Sequence, residues 1–101
     1  MLTSKQRAQL RGLAATEDTI VHIGKGGITD NIITQMSDAL KARELVKGRV
    51  LENSLLTARE ACDALAETCR AEPVQVIGSK FVLYKRNEQK PKIELVKKEK
   101  K

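Results

Sequence analysis

Apolar positions along the chain fall into two rhythms, and the places where one gives way to the other mark its elements. Leu10, Leu13 and Ala14 repeat at helical spacing behind a cap at Thr3 or Ser4, predicting a first helix to about Ala15. Arg7 and Arg11 sit one turn apart beside that stripe. Ile20-Val21-His22-Ile23 is a short β-branched run ended by glycines, which reads as a buried strand. Thr29 and Asp30 then supply an N-cap and an acidic first turn. Ile32, Ile33, Met36, Ala39 and Leu40 trace a second helix to about Arg43.

Leu45 to Leu51 alternates again, with Val46 and Val50 on one side, Lys47 and Arg49 on the other, and Gly48 weakening the strand. Thr57-Ala58-Arg59-Glu60 is a capping box, and Ala58, Ala61, Cys62, Leu65, Ala66 and Cys69 form a continuous apolar stripe behind it. After Pro73, Val74 to Ile77 and Phe81 to Tyr84 are two apolar runs joined by Gly78-Ser79-Lys80, the pattern of a hairpin. The order helix, strand, helix, strand, helix, strand, strand predicts an α/β fold. It is a single compact domain with a four-stranded mixed sheet and three helices, its crossovers joining parallel neighbours and the last hairpin adding an antiparallel pair.

A length of 101 residues suits one domain, here residues 1–86, followed by a basic tail at 87–101 that is expected to be mobile. The formal charge of +6 is concentrated: residues 85–101 carry eight Lys or Arg against three Glu, and the rest of the chain is nearly neutral. Such a tail suits a polyanion, because each phosphate neutralised releases condensed counterions; on charge alone a solubilising tail serves equally well. No stretch approaches the roughly 20 apolar residues of a membrane span, and none resembles a signal peptide, so a cytoplasmic protein without a membrane partner is expected. Cys62 and Cys69, seven apart on one helix, lie about 10 Å apart, too far for a disulfide. They read as reduced core residues.

Between the first strand and the second helix lies Gly24-Lys25-Gly26-Gly27. A Gly-x-x-Gly loop there turns tightly and lets a ligand approach without a β-carbon in the way, while the following helix start attracts anions and Lys25 adds a full charge. Loops of this form clamp nucleotide backbones in KH domains. An ordinary glycine turn has the same pattern, so the basic residues that can share its side add weight: Lys5, Arg7, Arg11, Lys47 and Arg49. Walker and dinucleotide fingerprints are not matched, since Lys25 is followed by Gly26. His22 is the single histidine, its facing undecided between core and ligand, and no nucleophile elbow or metal-ligand set accompanies it. The expectation is a binding protein, not an enzyme, with no cofactor, metal or small-molecule substrate. Phe81 and Tyr84 both fall in a strand that should be core, so recognition is expected to run through backbone and shape instead of a base-stacking sheet.

The segments Leu2 to Arg7, Leu10-Arg11, Ile23 to Asn31, Glu44 to Lys47, Val76 to Gly78 and Leu83 to Arg86 together resemble the CRM domain (chloroplast RNA splicing and ribosome maturation). The likeness covers residues 1 to about 86 and is greatest to the stand-alone bacterial YhbY family. Gly48, where that family usually has a β-branched residue, and Lys85 before Arg86 depart from its pattern. The resemblance implies a fold similar to the C-terminal domain of bacterial initiation factor three and RNA binding through the glycine loop. It also implies association with precursors of the large ribosomal subunit; in plants the family's domains serve group II intron splicing. The expected partners are therefore precursor ribosomal RNA and pre-ribosomal particles. A protein-interaction adaptor, docking on an assembly or translation factor through its helices, is the alternative.

Overall fold

The computed structural model describes residues 2–87 and residue 93. Three helices, α1 (Ser4–Ala14), α2 (Asp30–Arg43) and α3 (Ala58–Cys69), alternate with strands β1 (Thr19–Ile23), β2 (Leu45–Val50), β3 (Glu72–Ile77) and β4 (Lys80–Tyr84) in the predicted order. Each helix starts where a threonine can cap it. Thr3 and Thr57 form full capping boxes with Gln6 and Glu60, and the Thr29 hydroxyl accepts from the Ile32 N–H at 3.2 Å.

The strands lie in the order β1-β2-β4-β3, with β1 and β2 parallel and the other two pairings antiparallel. The expectation of parallel neighbours holds for β1 and β2 only, because β4 inserts between β2 and β3. The reason is legible in side chains. Phe81 to Tyr84 are all buried, as an interior strand with both faces covered requires, whereas β3 carries Pro73, which has no N–H for a second partner, and an exposed Ile77. A register shift between Pro73 and Gln75 follows that proline.

The sheet is sandwiched. On one face Val21, Ile23, Val46, Val50, Phe81 and Leu83 meet Met36 and Leu40 of α2 and the Ala58 to Cys69 stripe of α3. On the other, Leu45, Val74, Val82 and Tyr84 meet Leu10 and Ala14 of α1. The first helix is short, so it covers only part of its face.

Gly48, expected to weaken β2, is what lets the strand fit: a β-carbon there would stand 2.4 Å from Phe81 Cζ. The ring occupies the side-chain position that Gly48 leaves vacant. Cys62 and Cys69 are free and buried. Burial, with Asp63 nearby, raises the Cys62 thiol to about 11 against the opposing pull of Arg59, and burial likewise raises Cys69.

Glu44 is the one fully buried charged residue among those described, and it ends α2 at φ +65°. Its carboxylate accepts the Asn87 N–H at 2.6 Å and the Ile93 N–H at 2.7 Å, and its carbonyl accepts from Lys85. Ile93 also packs against the α1 side of the core. These contacts involve two residues of the segment expected to be a mobile tail; residues 88–92 and 94–101 lie outside the described residues.

Candidate nucleic-acid interface

The glycine loop leaves β1 at Ile23 and closes as a four-residue turn, the Gly27 N–H donating to the Gly24 carbonyl at 3.0 Å. Gly27 sits at φ +70°, the left-handed region that glycine enters without strain. Gly24 approaches Leu51 and Asn53, and Gly27 approaches Leu56, so the loop leans on the connection between β2 and α3. Hydrogen bonds tie this end of the sheet together: Leu51 N–H donates to Ile23 O, and Val50 N–H to Ser79 O in the β3–β4 turn, both at 2.8 Å. Lys25 and Gly26 form the exposed tip.

The helix start behind the loop contributes less than the spacing suggested. Thr29 already occupies the Ile32 N–H, and Asp30 places a carboxylate in the first turn of α2. Attraction for an anion therefore rests on Lys25 and the open loop backbone more than on the helix dipole.

Sheet register settles where the basic residues stand. His22 pairs with Arg49, Arg49 with Lys80, and Lys80 with Ile77, giving a row across all four strands on the face that α1 covers only in part. All four are exposed, which answers the open question about His22: it faces outward, beside Arg49. One step along β2, Lys47 is on the same face and its Nζ donates to the Ala14 carbonyl at the end of α1, 3.3 Å away. Arg11 and Lys47 both border a hollow between the end of α1 and the sheet.

Lys5 and Arg7 belong elsewhere. Arg7 donates from Nη1 to the Pro73 carbonyl at 3.1 Å. Pro73 lies at the β2-start end of the sheet, roughly 16 Å along the strands from the glycine loop. Lys5 stands two residues before Arg7, in the first turn of α1. On the α1 face the structure sets Arg49 nearest the glycine loop's end of the sheet, with Lys47 two residues further from that end and Arg11 beside it, while Arg7 reaches the opposite end. Lys80 and Ile77, not singled out from sequence, join the face through the hairpin register.

The model of the CRS1 / YhbY (CRM) domain matches residues 2–85. "Probable RNA-binding protein YqeI" of Bacillus subtilis is 43% identical over 95 residues, covering 94% of this chain and 99% of the relative. An "RNA-binding protein" of Haemophilus influenzae is 33% identical, covering 96% of this chain and 97% of its own. The solution structure of SAV1595 from Staphylococcus aureus superposes with a TM-score of 0.71 at 46% identity, over 95% of this chain and 100% of that one. With a family match over residues 2–85 and relatives 43% and 33% identical over nearly their full lengths, the chain belongs to the CRS1/YhbY (CRM) domain family.

Proposed function

We propose that this protein binds structured RNA, seating the phosphate backbone against the Gly24-Lys25-Gly26-Gly27 tip and the cationic face that continues from it through Arg49 and Lys47. One observation carries the reading: an exposed glycine turn with a lysine at its tip stands at the same sheet end as an exposed row of His22, Arg49 and Lys80. Phosphate contacts of this kind position RNA by shape and charge, which suits a domain whose two aromatic side chains are buried. The names of the relatives, RNA-binding proteins from several bacteria, support the partner class. The CRM resemblance supports precursor ribosomal RNA of the large subunit as the RNA and pre-ribosomal particles as the setting, in the cytoplasm. The role is that of an assembly factor without catalysis.

The test is filter binding with structured ribosomal RNA, comparing the parent with Gly26→Asp/Gly27→Asp. Two carboxylates at the loop tip should abolish binding by repelling phosphate, while circular dichroism stays unchanged. The Gly27 substitution should cost on the order of 1 kcal/mol because of its left-handed φ. A folded double variant that binds as tightly as the parent would overturn the loop as the contact site. Crosslinking followed by sequencing of the bound RNA tests the ribosomal assignment directly.

A further inference from the structure

The incomplete cover of the sheet by α1 leaves a hollow of about 340 Å³ between the end of that helix and strands β2, β4 and β3. That is the size of a small ligand pocket. Its floor and walls are largely apolar, from Ala14, Ile77 and Val82 among others, and its rim carries three cations, Arg11, Lys47 and Lys80. Among the described residues no carboxylate lines it. Among the described lining residues Gln75 supplies the side-chain amide, and Ile77, 61% exposed, adds an apolar surface at the mouth.

A simple anion would need the cations and not the apolar floor; an apolar ligand would need the floor and not the cations. A nucleotide needs both. Its base is a flat, weakly polar plate that rests on apolar side chains or stacks on a guanidinium, with an edge that an amide can read, and its phosphates lie against Lys and Arg. The hollow is also connected to the glycine loop: the row His22, Arg49, Lys80 runs from the strand that carries the loop to the hollow's rim, a span of about 10 Å across two strand spacings.

Resting on the RNA-binding reading above, we propose that the hollow between the end of α1 and the sheet receives one unpaired nucleotide of the bound RNA. The glycine loop holds the backbone of the adjoining structured segment. Arg11 lies over or beside the base, Gln75 meets its edge, and Lys47 and Lys80 hold the flanking phosphates. The protein would thereby prefer RNA helices interrupted by a bulge over continuous duplexes, a discrimination that the loop alone does not provide.

The experiment uses two hairpins, identical except that one carries a single bulged 2-aminopurine. The parent should bind the bulged RNA about tenfold more tightly than the continuous one, and the 2-aminopurine emission should change on binding. Gln75→Glu keeps the side chain's shape and puts a carboxylate among the three cations. It should remove most of the preference for the bulge and the emission change while leaving affinity for the continuous hairpin within about threefold. Lys25→Ala should weaken both hairpins alike. Equal affinity of the parent for the two RNAs with unchanged emission would overturn the nucleotide site and leave the loop reading standing. Failure to bind either hairpin would overturn both. A Gln75→Glu protein that keeps the full preference would place the bulged base elsewhere.

Discussion

Replacing Gly48 by alanine tests the packing that fixes the centre of the sheet. The new β-carbon would lie 2.4, 2.8 and 3.0 Å from three carbons of the Phe81 ring, against an optimum of about 3.5–4.0 Å. The ring must therefore retreat by about an ångström, yet it is 1% exposed and sits in the core shared with α2 and α3. Overpacking of this kind costs about 1–3 kcal/mol, and the severity of the overlap puts alanine near the upper end. The lower backbone entropy of alanine in the unfolded chain returns about 0.5–1 kcal/mol, leaving a net loss of about 2 kcal/mol. For a domain of this size that is a fall in Tm of roughly 8–16 °C. Thermal and urea denaturation would measure it, with Phe81→Leu alone and combined with Gly48→Ala completing a double-mutant cycle. Because leucine vacates the outer part of the ring's volume, the pair should couple favourably by at least about 1 kcal/mol. A Gly48→Ala protein melting within about 2 °C of the parent, or strictly additive effects in the cycle, would refute the reasoning.

Lys25→Ala should leave Tm unchanged, since an exposed loop side chain packs against nothing, while lowering RNA affinity and reducing the slope of log K against log salt by about one; filter binding across a salt series measures both. Stability should fall as pH rises from 9 toward 11, because the folded Cys62 thiol holds its proton to about 11 while the unfolded one releases it near 9.0. The loss from this residue is at most about 2–3 kcal/mol, and urea titrations of the parent and Cys62→Ala at pH 8 and 10.5 should show a shallower decline in the variant. Ending the chain after Arg86 removes both the Asn87 and the Ile93 N–H from the buried Glu44 carboxylate, for an expected loss of about 2–3 kcal/mol in urea denaturation. It also removes six lysines, so RNA affinity and its salt dependence should drop together; unchanged stability would show that the two hydrogen bonds contribute nothing.

Features set by neighbours in sequence were legible, and those set across the fold were not. The caps at Thr29 and Thr57 lie within four residues of the groups they satisfy, so the helix starts follow directly from the residues. The glycine loop was equally readable, because a strand, a turn and a cap follow one another without interruption. Gly48 looked like a defect because its partner Phe81 belongs to a different strand and comes into view only once β4 is placed beside β2. His22 could not be assigned a face from Ile-Val-His-Ile, since Ile20 packs against the core along with Val21 and Ile23, and the register shifts between Thr19 and Val21. The placement of Arg7 away from the loop depends on how α1 lies across the sheet, about which an amphipathic stripe is silent. The burial of Glu44 has no local signal at all: a charged residue between a helix and a strand reads as solvated until the chain beyond β4 is seen to meet it.

The insertion of β4 between β2 and β3 has a consequence for how the protein is made. A ribosome releases the chain from its N-terminus, so β1, α2 and β2 emerge first and can pair in parallel. The inner edge of β2 must then wait, its N–H and C=O groups unpaired, until Tyr84 has cleared the exit tunnel. Among the described strands the last to be synthesised is an interior one, and a chain that stops before it leaves the sheet open. During that interval Leu45, Val46 and Val50 lack the neighbours that β4 supplies in the finished sheet.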